Sequence, residues 1–410
     1  MIGFVVACFR FNNTGRGGHY YSALTVFNEI RKRRRAALIV VGDQRPAAID
    51  TSAPGIHYVH TGRMVCGSDV DLLVDLVSQH GIGVLHAFDA YAFLFSRLAA
   101  RRMDLRVVAT KCGGPTPRFR YYPGLSPDTV FSPEDYEFFR RRAARFRMPP
   151  PVLLPNRVAE PVQRSEPQGT VGLPDPVPQG AVRIIRIARI CQAYEQSILQ
   201  TVSLANALRS KGMDVTVYVV GYLEDRRVFE RVRNAVHASD YVLTDDRHTL
   251  GASRYLQAVD IAVASGRGVM EASISRKIVL CSVTGSALPY LLDAESASHF
   301  LHYNFSSRAP KPPISQQSNL DRIAQLIADE AYRAQHLERM EPIVDRYFRI
   351  SEAVSSYLSL YDAKRVVRHP VFEALDARIH WLVAVLRLGR RKLRQTVQAG
   401  ERSSDNGGSK

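Results

Sequence analysis

Apolar and polar positions recur along this chain in a fixed order. Ile2 to Ala7 is a continuous apolar run of strand length, followed by a polar, glycine-rich turn (Asn12, Asn13, Thr14, Gly15, Arg16, Gly17, Gly18). A helix-period stretch from about Tyr20 to Arg33 comes next, and then a second apolar run from Ala37 to Val41. Strand, turn, helix and strand in that order make a βαβ unit. The order repeats: Leu72 to Ser78 predicts a helix, Gly83 to Ala87 a strand, Ala90 to Arg101 a helix and Arg106 to Thr110 a strand. Thr129 to Phe131 and Val152 to Leu154 predict short strands on either side of a charged helix, Pro133 to Arg145. Such alternation requires a parallel sheet with helices on both faces, so the first half is expected to be Rossmann-like.

Between Ala159 and Gly180 the chain is crowded with Pro, Gly, Gln and Ser, which break periodic structure and mark a linker. A second α/β series follows it. Its strands are expected at Arg183 to Ile187, Val215 to Val220, Ile261 to Val263 and Ile278 to Cys281. Its helices are expected at Ser197 to Lys211, near Asp225 to Ala238, at Ala252 to Val259 and at Val269 to Ile274. The expected plan is an N-terminal Rossmann-like domain (1–158), a linker (159–180) and a second Rossmann-like domain (181–345), the two facing a cleft. A helix (346–364) crossing back to the first domain, a basic amphipathic extension (365–400) and a disordered tail (401–410) complete it.

Composition narrows the class. The five cysteines are odd in number and fall in no CxxC or Cys/His spacing, which argues against a disulfide framework and a structural zinc. The first apolar run has no basic lead, so it reads as a strand rather than a signal peptide, and no stretch reaches the roughly 20 apolar residues of a membrane span. A cytoplasmic protein is expected. Net charge is +16, concentrated at Arg31 to Arg35, Arg140 to Arg147 and Arg387 to Arg394. A surface of this kind attracts nucleic acid, anionic lipid or phosphorylated ligands. No nucleic-acid readout module and no interleaved aromatics accompany the charge, so nucleic acid is not expected as a partner. From Phe372 to Gln395, Trp381, Leu382, Leu386 and Leu393 alternate with Arg387, Arg390, Arg391 and Lys392, the composition of a helix that lies on an anionic membrane.

Candidate chemistry gathers where strands end. Gly17 and Gly18 stand between a strand and a helix, where backbone amides can meet a phosphate, although a plain structural turn accounts for them as well. Ala264 to Ala272 places Gly266, Arg267 and Gly268 at the start of a helix, with Glu271 one turn in, where it can accept hydrogen bonds from ribose hydroxyls. Arg186 and Arg189 follow a strand and can offset a diphosphate's charge. His86 and Asp89 lie at a carboxyl edge and can position an acceptor hydroxyl or a sugar; a histidine capped by a turn aspartate is the alternative. Lys111, beside Cys112, Gly113 and Gly114, stands at the next carboxyl edge and joins them as a candidate catalytic group.

In their order these motifs resemble the large retaining glycosyltransferase family of GT-B fold, the group-one or family-four type. The resemblance runs from about Ile2 to Tyr361 and rests on Gly17-Gly18, His86-Ala87-Phe88-Asp89, Thr110 to Gly114, Pro155-Asn156-Arg157-Val158, Arg189, Val220-Gly221 and Gly266 to Ala272. It implies that the second domain holds a nucleoside diphosphate sugar and the first handles the acceptor. Glu271 would then bind the ribose and Arg189 the diphosphate, Gly17 and Gly18 would lie over the donor, and neither metal nor other cofactor is implied. The chain departs from the pattern at three places: Val263 stands where a second glutamate is often found, Tyr194 where a lysine is usual, and Cys112 where a histidine is often found. The function expected is sugar transfer from a nucleotide sugar to a glycan or lipid-linked acceptor, with retention, for a cell-envelope or capsule-like polysaccharide. The enzyme is expected to sit peripherally on the inner membrane face. A GT-B scaffold without turnover and a sugar-nucleotide epimerase are the alternatives.

Overall fold

The structure is a computed structural model that describes residues 1–10, 15–62, 67–116, 127–145, 147–160, 172–174, 180–363, 375, 378, 379, 381 and 382. The expected linker and the basic extension fall largely outside these residues, and the tail 401–410 wholly so.

The chain divides into two compact units. The first comprises Met1–Phe131, Asp135–Leu154 and the residues from Val354 on; the second comprises Ser132–Glu134 and Pro155–Ala353. The first opens β1 (Ile2–Ala7), α1 (Gly18–Ile30), β2 (Ala36–Gly42), β3 (Ile56–His60), α2 (Gly67–Gln79) and β4 (Val84–Ala87). It continues α3 (Ala90–Ala100), β5 (Arg106–Lys111), β6 (Thr129–Val130), α4 (Pro133–Arg145) and β7 (Val152–Leu153). These strands form one seven-stranded sheet, ordered β3-β2-β1-β4-β5-β6-β7, parallel throughout. All six residues of β1 are buried, because α1 covers one face of the sheet and α2 and α3 the other. That two-sided burial is why strands here read as unbroken apolar runs instead of alternating ones.

The second unit runs β8 (Val182–Ile187), α5 (Gln192–Arg209), β9 (Val215–Val220), α6 (Arg226–Ala235), β10 (Tyr241–Leu243) and α7 (Asp246–Thr249). After a 3-10 turn at Ala252–Ala258 come β11 (Ile261–Ala264), α8 (Arg267–Ile274), β12 (Ile278–Cys281), β13 (Tyr290–Leu291), α9 (Ala297–His302), α10 (Gln316–Ala328) and α11 (Glu330–Tyr347). Its six-stranded sheet, ordered β10-β9-β8-β11-β12-β13, is parallel except for β13. Two clusters built on residues such as Ile184, Val217 and Leu204 on one face, and Ile185, Val220 and Met270 on the other, bury it from both sides. The last helix, α12 (Val354–Asp362), belongs to the first unit.

The two units share a local device. A Cβ on Gly42, at the end of β2, would lie 1.8 Å from the Cys8 carbonyl oxygen, and one on Gly221, just past β9, 1.6 Å from that of Ala188. Only glycine allows the second strand to press so closely on the loop leaving the first. In each unit this fixes the loop over the carboxyl edge of the sheet.

Candidate functional site

In the second unit the strand order turns between β8 and β11: the chain leaves β8 toward β9 on one side and β11 toward β12 on the other. The loops after the two strands therefore diverge, and open α/β sheets take ligands at such a point. Arg186, next to the last residue of β8, lies there and is 1% exposed. Its Nη2 donates to Ser197 Oγ (2.7 Å) and Ser265 Oγ (3.2 Å), and its Nη1 to the carbonyl oxygens of Val263 (3.3 Å) and Ile187 (3.4 Å). Its Nε is enclosed without a partner, and among the described residues no carboxylate pairs with it. Burial lowers its pKa to about 10, against a smaller opposing pull from Tyr194 and Cys281. It stays protonated at neutral pH, a buried cation with no counter-charge, an arrangement that costs on the order of several kcal/mol unless an anion approaches.

The residue beyond Ser265 is Gly266, which caps α8 with φ at +56°, a conformation that strains any side chain. The backbone amides that open α8 therefore start beside the Arg186 guanidinium, and helix N-termini favour anions. Gly268 makes only ordinary contact, since a Cβ there would lie 3.7 Å from the Ala264 Cβ. Glu271 is one turn into α8. Its Oε1 accepts from Arg267 Nε at 2.7 Å, while Arg267 Nη1 donates to the Arg157 carbonyl oxygen at 3.3 Å, so the arginine orients the glutamate from the same helix. Arg186, Gly266, Arg267, Gly268 and Glu271 thus form one neighbourhood. Arg189 stands apart: it pairs with Glu224 at 2.9 Å and lies over the Tyr194 ring, 5.4 Å from its centroid. Arg189 thus already holds a carboxylate, whereas Arg186 has none among the described residues.

In the first unit the order turns between β1 and β4. Gly17 caps α1, and a Cβ there would lie 2.8 Å from His19 Nδ1, so glycine is what lets the imidazole fold back beneath the turn. Gly18 has open space where its side chain would be. Asp89, two residues past β4, accepts from the amides of Ala7 (2.8 Å), Tyr91 (2.9 Å) and Ala92 (2.8 Å), which makes it both the cap of α3 and a tie to β1. Burial pushes its carboxyl up, countered first by His19 and then by these amides. His19 is the residue the sequence reading passed over. Its Nε2 is enclosed with no hydrogen-bond partner, burial lowers its pKa, and Asp89 acts in the opposite direction. Its position directly after Gly17-Gly18 is the sequence signal that would have found it.

Two other candidates have different surroundings from those expected. His86 is fully buried, with Nδ1 bonded to Tyr361 Oη (2.8 Å) and Nε2 to Thr110 Oγ1 (2.6 Å), and burial lowers its pKa to about 3. A neutral, enclosed and doubly bonded imidazole has no atom left for an acceptor, so it positions α12 and β5. Lys111 is 7% exposed and donates to Asp135 Oδ2 (2.9 Å) and to the carbonyl oxygens of Gly113 (2.9 Å) and Gly114 (3.3 Å). All three of its protons are spent on the fold. The Cys112 thiol is pushed well up by burial and then by Asp89, which leaves it unreactive.

No protein-family model matches the chain, and no curated protein matches it. Solved structures do. A glycosyltransferase from Rickettsia africae aligns over 88% of this chain and 97% of its own at a TM-score of 0.59 and 13% identity. HepE of Anabaena, in complex with UDP and glucose, aligns over 88% and 98% at 0.60, again with 13% identity. The UDP-GlcNAc 2-epimerase of Neisseria meningitidis, bound to UDP-GlcNAc, aligns over 87% and 98% at 0.53 and 14% identity. The fold is GT-B. The parallel sheets of both units, each with its turning point, are the two Rossmann-like halves that the GT-B fold requires. Among the described residues, no helix of this GT-B chain is long and apolar enough to cross a membrane.

Proposed function

We propose that the chain is a glycosyltransferase that takes a sugar from a nucleoside diphosphate sugar, and that the second unit holds this donor. The observation that carries the proposal is Arg186, a buried guanidinium without an acid among the described residues, set beside the opening amides of α8. A diphosphate is the ligand such a site favours, and a cation fixed in a dry site would also stabilise the departing nucleotide. Gly266, Arg267 and Gly268 shape the amide cradle, and Glu271, oriented by Arg267, receives the ribose hydroxyls. Gly17, Gly18 and Asp89 border the place where the first unit handles sugar and acceptor, a glycan or a lipid-linked glycan of envelope or capsule type. Retention is the stereochemistry we assign from the resemblance. His19 stands beside Asp89 at this edge and helps to keep that carboxyl charged.

The epimerase likeness supplies the second reading. A panel of UDP- and other nucleotide sugars screened by thermal shift, followed by proton NMR of the products, separates the two. Transfer predicts a stabilising donor, release of its nucleotide and a new anomeric proton whose coupling reports retention or inversion. A donor recovered with one inverted ring carbon and no nucleotide release would replace transfer by epimerisation. Glu271→Ala is expected to weaken donor binding by about 1–3 kcal/mol; wild-type affinity in calorimetry would remove Glu271 from the site.

A further inference from the structure

In the second unit α5 borders a groove that the donor reading leaves unused. Gln192, Gln196, Leu199 and Ser203 recur at steps of four, three and four residues, which sets them in one stripe along the helix. The stripe lies opposite Ile198, Leu204 and Leu208, which pack on the sheet. Because α5 follows a strand of a parallel sheet, the stripe starts at the carboxyl edge and runs back along the helix for about 16 Å. The loop that leaves β12 forms the other wall, at Ser286 and Ala287, and the groove holds about 330 Å³. That volume falls at the lower end of the roughly 300–1,000 Å³ found for small-molecule sites.

The two walls are tied together. Gln200, buried between them, donates from Nε2 to the carbonyl oxygens of Val283 (2.7 Å) and Ser286 (3.0 Å) and accepts from the Val283 amide at Oε1 (3.3 Å). Ser286 Oγ in turn donates to Gln316 Oε1 (3.1 Å) and accepts from the Leu288 amide (3.1 Å). A groove fixed in this way needs little further ordering when a ligand enters. Its lining is polar but carries no unanswered charge. Arg231 donates to both oxygens of Glu195, and no lysine or arginine lines the groove, in a chain of net charge +16. The amides of Gln192 and Gln196 and the Ser203 hydroxyl bond to none of the described residues. A phosphate or carboxylate meets no cation there, and an apolar ligand would cover amides without satisfying them. A sugar satisfies them, since each of its hydroxyls both donates and accepts, as amides and serine hydroxyls do, and its carbon-bound hydrogens can rest on Leu199.

We infer that this groove binds a short neutral oligosaccharide. The place is separate from the amide cradle at Gly266 to Gly268, because α5 packs on one face of the second sheet and α8 on the other. The inference goes beyond the transfer reading and does not rest on it, since binding is measured without turnover. If that reading also holds, the enzyme grips a stretch of glycan on the unit that holds the donor, and acceptors long enough to fill the groove are favoured.

The test uses the full chain and, in calorimetry, maltotetraose, cellotetraose, mannotetraose and chitotetraose. At least one of them is expected to bind with a Kd on the order of 1 mM or tighter, and to bind equally well with excess UDP present. The double change Gln192→Ala, Gln196→Ala is expected to weaken that binding roughly tenfold. Both side chains are exposed, so the melting temperature and the response to UDP should stay in place. In the wild-type chain, hydrogen exchange should slow at residues 284–287 on adding the tetrasaccharide and stay unchanged at 265–269. A chain that binds the tetrasaccharide but no nucleotide sugar would sink the donor reading and leave the groove standing. Failure of all four sugars to bind, undiminished binding by the double variant, displacement by UDP, or equal binding of the anionic trigalacturonate would each overturn the inference.

Discussion

Replacing Arg186 by methionine removes a buried charge that no carboxylate among the described residues neutralises. A structural arginine and a ligand-binding one give opposite results. Arg186→Met is expected to weaken UDP binding at least roughly tenfold in calorimetry, while the melting temperature without ligand holds or rises, since apolar replacement of an uncompensated buried ion is seldom destabilising. A lower melting temperature with unchanged UDP affinity would make Arg186 a packing residue. His86 has its own pH signature. The folded imidazole takes a proton only near pH 3, whereas an unfolded one does so near 6.5, so between these values the unfolded chain binds more protons. Stability is therefore complete above about pH 6.5 and falls as the pH drops toward 3, by up to about 1.4 kcal/mol per unit from this group. Urea midpoints between pH 7 and 5 should show a shallower slope in His86→Gln than in the wild type. The sequence placed His86 and Asp89 at the right edge but left their orientation open. In a strand buried on both faces, alternation does not say which side chain turns toward ligand, and that is why His86 read as a site residue; His19, in the first turn of α1, went unseen because its neighbours in space come from other elements.

At the level of elements, the apolar runs located the central strands closely: Val215 to Val220 and Ile278 to Cys281 stand as the pattern predicts, as does the helix Pro133 to Arg145. β3, β10 and β13 were not legible. β3 reads Ile-His-Tyr-Val-His and is only partly buried at the sheet's edge, while β10 and β13 have three and two residues, too few to show a period. Lys111 shows how an element junction can mimic a site. It ends β5 and reaches Asp135 in the first turn of α4, so the ion pair ties a strand to a helix. Lys111→Met should cost about 3–5 kcal/mol in urea unfolding, because Asp135, with no exposed surface, loses its ion-pair partner. Near-unchanged stability with lost turnover would return Lys111 to the catalytic set.

For the whole molecule, the alternation of strand and helix was enough to predict two parallel sheets, because a chain with that order has few other ways to cover both faces. What the pattern could not convey is which loops meet: Ser197 and Ser265, far apart in sequence, both reach Arg186. The same holds for Tyr361, whose hydroxyl meets His86 across 275 positions and secures α12 to the first unit. Tyr361→Phe is expected to cost about 1–3 kcal/mol by leaving the buried His86 Nδ1 unsatisfied, read as a lowered urea midpoint; an unchanged midpoint would mean that the ring packing alone holds the helix.

The return of α12 also sets an order of events during synthesis. The sheet emerging first from the ribosome must wait for nearly two hundred further residues before its final helix exists, whereas the later-made sheet has all its parts by Ala353. Growing chains released between Ala353 and the end of α12 should therefore carry a finished second unit and an unfinished first. The half that is translated first would be the last to become resistant to protease.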